Sequence, residues 1–372
     1  MRMPIGSGLV AASMDAIHLQ YVESDHLTNP ISLLSLFNSD KFNFEQFCAD
    51  FCPHPDISSL KKITTTFGHE FGILLPDADA YITCAMFLFP DAPLDKIITI
   101  SKNYAVDFYL NDKMGRDARP STQEMQQLYQ IRQRLSTIGR NLTLVDGASA
   151  AEIANVGVLQ QIANNAPSDW FDHFLGLYLR HLDLAHKPYD LEALGYLQSV
   201  EDYIAMRADI SGMPHTVAMI EYANNAFLDW AQLAQAGIAE PLRKANETVS
   251  YVGALTNDLF SFEKEVIDNS SDSNLVFIVL LNNFRMHLED AIQVSGHIIR
   301  DLLVDYAHLT ETIEQRMERA DLPGPTRQNL DRYLKGLKTV LQACWTWQTF
   351  TQRYKRSSSI WQQTIQRQKV VL

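Results

Sequence analysis

The feature that most restricts the fold of this chain is its helical periodicity. Apolar residues recur at three- and four-residue spacing through eight long stretches, whereas the alternation typical of strands is sparse. Proline and glycine residues separate several of these stretches, and neither an internal repeat nor a shift in composition marks a second domain. The pattern predicts an all-α protein with helices near 122–139, 168–184, 199–208, 216–236, 242–266, 275–307, 310–320 and 328–354.

Composition narrows the class of protein. Hydrophobic residues make up 46% of the 372 residues, enough for a large core, and the formal net charge of −13 argues against a nucleic-acid-binding surface. The apolar run near the N-terminus is too short for a signal peptide, and no run reaches transmembrane length. We expect a soluble cytoplasmic protein with no nucleic-acid or membrane partner, for which a homodimer is plausible.

The segment 257–265, with the sequence NDLFSFEKE, carries the strongest chemical signal. Asn257, Ser261 and Glu265 recur every fourth residue, so a helix would present their side-chain oxygens on one face. Mg²⁺ prefers oxygen ligands and often shares its coordination sphere with substrate phosphates. On the same face upstream lie Gly253 and Ala254, small residues that leave room for a ligand. An ordinary solvated helix face is the alternative interpretation of the same spacing.

This segment resembles the NDLxSxxKE form of the NSE motif of class I terpene synthases. The resemblance implies the class I terpenoid synthase fold, a helical bundle around a central active-site cavity. It also implies that Asn257, Ser261 and Glu265 bind Mg²⁺, with three ions expected, and that Lys264 contacts the substrate diphosphate.

Two other segments resemble parts of the same family, in the same order along the chain. The C-terminal segment with Arg353 and Tyr354 is similar to the family's Arg-Tyr element, whose side chains donate hydrogen bonds to the diphosphate. Upstream, Arg207 resembles the arginine that senses diphosphate. The resemblance places a helix break and an effector residue near Ser211 and Gly212.

The aspartate-rich motif of the family is present in altered form. Asn111 and Asp112 stand where the family typically has two aspartates, and both are expected to bind metal, with Asp112 the main ligand. Gly115 or Arg116 occupies the place of the third acidic residue, and Asp117 follows one position later. Because a carboxamide is a weaker ligand than a carboxylate, these changes bear on metal affinity.

One helical turn before Asn111, the residues of the predicted helix allow two interpretations each. Asp107 could be a further metal ligand, or a surface acid that pairs with Lys102 or Lys113. Phe108 and Tyr104 could present aromatic faces to a carbocation, or could be ordinary core residues.

The resemblance implies a terpene cyclase that ionises a linear prenyl diphosphate, with farnesyl diphosphate the first choice and geranylgeranyl diphosphate the second. We expect a single α domain over 1–372, with an N-terminal extension of about 25 residues and a C-terminal tail from about 356. A chain-elongating prenyltransferase is one alternative, although that family normally has a second aspartate-rich motif where this chain has the segment 257–265. A catalytically disabled helical diphosphate-binding protein is the other, supported by Asn111 and the missing third acid.

Overall fold

The computed structural model describes residues 3–4, 7–75, 78, 81–114, 122–187, 190–283 and 285–366. Within these residues the chain forms seventeen α-helices, a 3₁₀ turn at Asp25–Leu27 and a π-helical turn at Glu263–Asp268. Two short strands, β1 (Met3–Pro4) and β2 (Tyr196–Leu197), pair antiparallel. The all-α prediction is therefore confirmed. The helices are α1 (Ser7–Val22), α2 (Leu33–Phe37), α3 (Phe44–Cys48), α4 (Ile57–Glu70), α5 (Cys84–Leu88), α6 (Leu94–Met114), α7 (Thr122–Ser136), α8 (Ala150–Ala163), α9 (Ser168–Ala185), α10 (Leu191–Leu194), α11 (Val200–Ser211), α12 (Met213–Ala223), α13 (Trp230–Gln235), α14 (Ala239–Phe262), α15 (Leu275–Asn282), α16 (Leu288–Arg319) and α17 (Gly324–Phe350).

The bundle is built around α14, which packs against α11, α12, α16 and α17. Apolar residues at three- and four-residue spacing give this helix a continuous buried face, formed by Leu242, Ala245, Val249, Val252, Leu255 and Leu259. Burial of each large aliphatic side chain stabilises the fold by about 1.5–3 kcal/mol. The helix that carries most of the segment 257–265 is thereby held rigidly at the centre of the molecule.

Three predicted helix boundaries are wrong. The stretch 216–236 is interrupted after α12, where Asn225 adopts a left-handed conformation with φ of 47°. The stretch 275–307 is interrupted between α15 and α16, where Arg285 has φ of 75°. Conversely, α16 runs without a break through Thr310, whose hydroxyl donates to the carbonyl of Tyr306 one turn earlier. Local propensity does not reveal these turns, which depend on tertiary packing.

The break between α11 and α12 lies where the sequence predicts it. Ser199 caps the start of α11 by accepting a hydrogen bond from the amide of Asp202, and the helix ends at Ser211. Gly212 then takes a φ of 76°, and a Cβ there would lie 2.6 Å from Cε1 of His215. Both the backbone conformation and the close approach require glycine at this position.

Both terminal segments pack against the π-helical turn. The hydroxyl of Tyr21 on α1 donates to Oε1 of Glu263 at 2.6 Å, and the amide of Ile360 donates to the same oxygen at 3.1 Å. Arg356 forms a two-pronged ion pair with Asp268 at the other end of the turn. The segments expected to be an extension and a tail thus hold this turn in place. None of the helices in the described part of the chain has both the length and the apolar character that a membrane span requires.

Candidate active site

An open cavity of about 1250 Å³, a volume that includes the space at its mouth, lies between α6, α9, α11, α12, α14 and α17. Ten of the twelve predicted site residues line it; Asp112 and Ser261 do not. The predicted residues that line the cavity are Tyr104, Phe108, Asn111, Arg207, Ser211, Asn257, Lys264, Glu265, Arg353 and Tyr354. Segments that are up to 250 residues apart in sequence therefore contribute to one site.

Arg207 is held from one side by a fully buried acid. Its Nε donates to Oδ1 of Asp258 at 2.7 Å, and one terminal nitrogen donates to Oδ1 of Asn257 at 2.9 Å. The other carboxylate oxygen of Asp258 accepts from the hydroxyl of Tyr203 at 2.6 Å and from the amide of Leu275 at 2.9 Å. Asp258 lies in the segment 257–265, but the sequence alone assigns it no role. The available signal was an acid among the apolar residues on the buried face of α14.

Asn257 links the C-terminal segment to this network. Its Nδ2 donates to the hydroxyl of Tyr354 at 2.8 Å and to Oε1 of Gln348 at 3.2 Å. Burial raises the pKa of Tyr354, so its phenol stays protonated and can donate a hydrogen bond to an anion. The carboxamide oxygen of Asn257 accepts from Arg207 and has a second lone pair, which fits the role of metal ligand.

The other two members of the predicted ligand set lie on different kinds of helix. Ser261 is in the last turn of α14, and its hydroxyl donates to the carbonyl of Asn257 at 2.7 Å. Glu265 lies beyond the end of α14, in the π-helical turn, where its Oε2 accepts from Nδ2 of Asn274 at 3.1 Å. The expected spacing on one α-helical face therefore does not extend to Glu265, because the wider turn changes the register. A carboxamide, a hydroxyl and a carboxylate remain a suitable donor set for Mg²⁺.

The altered aspartate-rich segment on α6 is held by an ion pair. Arg353 donates to both carboxylate oxygens of Asp112, at 2.7 and 3.2 Å, and both side chains are mostly buried. Asn111 lines the cavity, and its Nδ2 donates to Asp112 at 3.3 Å. The expected diphosphate ligand Arg353 thus contacts the expected metal ligand Asp112. Residues 115–117, which include Asp117, lie outside the described residues.

Aromatic side chains form the wall below Asn111. The ring of Phe108 stacks on Tyr81 with a centroid distance of 5.0 Å and lies 5.9 Å from the ring of Trp347. The hydroxyls of Tyr104 and Thr216 are 2.7 Å apart, and burial raises the pKa of Tyr104 well above its usual value. Phe108 and Tyr104 therefore contribute both to packing and to the cavity surface.

The C-terminal end of α11 also faces the cavity. The hydroxyl of Ser211 donates to the carbonyl of Ala208 at 2.8 Å. The carbonyl of Asp209 lies 3.1 Å from Nδ1 of His181, whose Nε2 lies 3.2 Å from Oδ1 of Asp107. Asp107 thus pairs with a histidine 74 residues away rather than with Lys102 or Lys113, a contact that no local pattern predicts.

Asp107 and His181 shift each other's titration. Removal from bulk water opposes ionisation of Asp107, but the charge and hydrogen bond of His181 outweigh it, and the pKa of Asp107 is lowered. Burial disfavours the charged form of His181, but Asp107 outweighs it, and the pKa of His181 is raised. Burial, with the charge of His181, lowers the pKa of His186 to about 4 and that of His215 to about 3.

Comparison with known proteins identifies the family. The family described as terpene synthase family 2, C-terminal metal binding, matches residues 104–305, which is more than half of the chain. The chain belongs to this family. The resemblance to class I terpene synthases is thereby confirmed, and the matched region contains every predicted metal ligand.

Individual terpene synthases align with different shares of the chain. Sesquiterpene synthase 1 of Postia placenta is 26% identical over 162 residues, which cover 44% of this chain and 44% of the relative. The chain therefore spans less than half the length of that relative. The 10-epi-cubebol synthase of Sorangium cellulosum is 23% identical over 310 residues, 81% of this chain and 94% of the relative.

Solved structures agree on the fold. The crystal structure of a-eudesmol synthase superposes with a TM-score of 0.69 at 15% identity, covering 81% of this chain and 97% of that protein. Germacradien-4-ol synthase from Streptomyces citricolor superposes with a TM-score of 0.66 at 17% identity, covering 79% and 96%. The terpene synthase fold therefore accounts for about four-fifths of the chain.

Arg353 and Tyr354 lie beyond residues 104–305, the region that the family model matches.

Proposed function

We propose that this terpene synthase family member is a Mg²⁺-dependent cyclase that ionises a linear prenyl diphosphate and cyclises the resulting allylic cation. The observation that carries the proposal is the composition of the cavity. Arg207, Lys264, Arg353 and Tyr354 line it together with the oxygen donors of Asn257 and Glu265, and aromatic side chains form the adjacent wall. The polar part of the cavity can thus bind an anion through metal ions and hydrogen bonds, while the aromatic wall accommodates a hydrocarbon.

The proposed ligands for Mg²⁺ are Asn257, Ser261 and Glu265 on one wall and Asp112, with Asn111, on the other. A set of three bound Mg²⁺ ions would neutralise the diphosphate and stabilise the charge that develops on it as the leaving group. Binding of the diphosphate at Arg353 would compete with the ion pair to Asp112, and so would release that carboxylate for the metal.

Four side chains would bind the departing diphosphate directly. Arg207 and Arg353 offer fixed charges with several donors each, Lys264 offers a point charge, and the protonated phenol of Tyr354 offers one more donor. Donors that are already oriented by protein contacts stabilise a developing anion without further reorganisation. The Asp258 network orients Arg207 in this way before any substrate binds.

The hydrocarbon chain would lie against Phe108, Tyr104 and Trp347. Aromatic faces stabilise a cation by their negative quadrupole, and apolar side chains around it reduce the access of water that would trap it. Ser211, at the broken end of α11, would face the reacting carbons and act as the effector. We further propose that 1–372 forms one catalytic domain.

For the substrate, farnesyl diphosphate is the first choice and geranylgeranyl diphosphate the second. The support comes from relatives, since Postia placenta proteins that share part of the chain are named sesquiterpene synthases, and sesquiterpenes have fifteen carbons.

The test is incubation of the purified protein with geranyl, farnesyl and geranylgeranyl diphosphates, with and without Mg²⁺. Released diphosphate and extracted hydrocarbons are measured together, beside Glu265→Gln and the control Glu240→Gln, which changes an exposed residue at the other end of α14. We expect a cyclic product from one substrate, lost without Mg²⁺ and in Glu265→Gln, and retained in Glu240→Gln.

Two other outcomes would contradict the proposal. A longer prenyl diphosphate formed when isopentenyl diphosphate is added would indicate a chain-elongating prenyltransferase. Binding of inorganic diphosphate without release of diphosphate from any substrate would indicate a catalytically disabled binding protein. Asn111, in place of an aspartate, would then account for the loss of activity.

A further inference from the structure

The cavity contains one ionic pair that the proposed diphosphate chemistry does not use. Asp107 on α6 and His181 on α9 both line the cavity. Asp107 lies four residues before Asn111, one helical turn farther from the proposed metal end. A buried ionic pair is costly in a wall that otherwise suits a hydrocarbon, so its presence calls for a chemical role.

Hydrogen bonding shows how the pair holds a proton. Nε2 of His181 lies 3.2 Å from a carboxylate oxygen of Asp107, and Nδ1 lies 3.1 Å from the carbonyl oxygen of Asp209. A carbonyl and an ionised carboxylate can only accept, whereas a neutral imidazole has a single N–H. Both contacts are satisfied when His181 is an imidazolium and Asp107 is a carboxylate, and the directions of their pKa shifts agree.

Neighbouring groups keep the charge at this pair. The rings of His215 and His186 lie 5.0 and 6.4 Å from that of His181, and both histidines are neutral near pH 7 because their pKa values are about 3 and 4. Burial also keeps Tyr104 protonated. The cluster therefore contains one imidazolium and one carboxylate.

Exposure distinguishes the roles of the two partners. The side chain of Asp107 is 17% exposed and that of His181 is 6% exposed, so Asp107 is the more accessible of the two to a ligand in the cavity. His181 is bound on both sides and acts as a positioning residue.

We infer that the Asp107 carboxylate accepts the proton that ends the cyclisation. This inference rests on the proposed function. A C–H bond next to the cationic carbon breaks, its electron pair forms a C=C bond, and the proton bonds to a carboxylate oxygen of Asp107. The neutral olefin then leaves through the open mouth, and Asp107 loses its proton to water. The weak basicity of a carboxylate is no obstacle, because a carbocation is a far stronger acid than a carboxylic acid.

The test compares the full-length protein with Asp107→Asn, which keeps the volume and removes the charge. Asp183→Asn on the exposed face of α9 is the matched control. Release of diphosphate and the hydrocarbon profile are measured separately for each. We expect Asp107→Asn to release diphosphate within about threefold of the native rate while its main olefin falls at least about tenfold relative to other olefins and alcohols. Asp183→Asn should keep both the native rate of diphosphate release and the native hydrocarbon profile.

A second variant tests whether His181 acts by positioning the Asp107 carboxylate. His181→Gln should shift the product profile in the same direction, and combining it with Asp107→Asn should add little, because both act on one step. Long-range ¹H–¹⁵N spectra of histidine side chains provide a readout without substrate. They should show both nitrogens of His181 protonated in the native protein at pH 7.5 and one in Asp107→Asn, provided that circular dichroism shows a folded variant.

Several results would overturn the inference while leaving the proposed function intact. An unchanged product profile in Asp107→Asn would exclude a proton acceptor at this position. Loss of diphosphate release in that variant would move Asp107 to the ionisation step. A neutral His181 in the native spectrum would remove the ionic pair. If Asp107→Asn fails to fold, the hydrocarbon profile of His181→Gln and the ¹H–¹⁵N spectrum of the native protein test the inference. Failure of the native protein to release diphosphate would instead contradict the proposed function.

Discussion

Asp258 has no exposed surface, yet two side chains of α11 and the first amide of α15 donate to its carboxylate. Replacing it by Asn would remove the buried counter-charge of Arg207. We expect Asp258→Asn to lower the free energy of unfolding by about 3–5 kcal/mol, measured by urea denaturation. Tyr203→Phe, which removes one hydrogen bond to a charged group, should lower it by about 1.5–3 kcal/mol. Equal small effects of both variants would show that Arg207 is held by other contacts.

Asn111 is the residue at which this chain departs most clearly from the resemblance. Its carboxamide donates to Asp112, whereas a carboxylate would repel that side chain and attract a cation. We expect Asn111→Asp to lower the Mg²⁺ concentration for half-maximal diphosphate release, by about tenfold as an upper estimate. Asp112→Asn should raise it. An unchanged Mg²⁺ requirement in both variants would place the metal away from this segment.

At the scale of elements, the π-helical turn depends on segments from both ends of the chain. Glu263 accepts hydrogen bonds from Tyr21 on α1 and from Ile360 and Ser359, while His18 contacts the carbonyl of Ile267. The next two residues after Glu263 are the proposed diphosphate and metal ligands. The terminal segments thus contact the turn that carries these two proposed ligands.

Removing one of these contacts tests that dependence. Tyr21→Phe deletes only the hydroxyl that donates to Glu263, and should lower the free energy of unfolding by about 1.5–3 kcal/mol. It should also weaken the binding of inorganic diphosphate with Mg²⁺, measured by calorimetry, because the turn becomes less ordered. Tyr129→Phe, at a half-exposed position on α7, is the control. Loss of stability with unchanged diphosphate binding would mean that the contact with Tyr21 is not needed to position the turn.

The sequence predicted the helical class and most long helices because apolar spacing reports which face is buried. It predicted the segment 257–265 as one α-helical face, but at Glu263 the chain changes to a π-helical turn that is in contact with both terminal segments. The pairing of Asp107 with His181 was missed for a similar reason, since it joins helices 74 residues apart. The residues that one helix presents on a face can be predicted from the sequence, whereas contacts between distant helices can be identified only from the folded structure.

Across the whole molecule, buried titratable groups make stability depend on pH in opposing directions. The pKa values of His186 and His215 are lowered, so the unfolded chain binds protons below pH 6.5 that the folded chain does not, and these residues destabilise the fold as pH falls. His173, whose pKa burial also lowers, adds to this effect. Burial raises the pKa of Glu221 from 4.5 to about 7, so its protonated form stabilises the fold at low pH and this stabilisation is lost as pH rises through 7.

Glu221 therefore offsets part of the acid sensitivity that the histidines cause. Glu221→Gln keeps an oxygen that can accept from the amide of Leu228 but removes the titration. We expect this variant to lose stability more steeply than the native protein between pH 6.5 and 4.5, by about 1.4 kcal/mol per pH unit. Urea unfolding at half-unit pH steps measures how the free energy of unfolding of each protein changes with pH, with Glu240→Gln at an exposed position as control. Parallel profiles for Glu221→Gln and the native protein would show that Glu221 binds its proton equally in the folded and unfolded states.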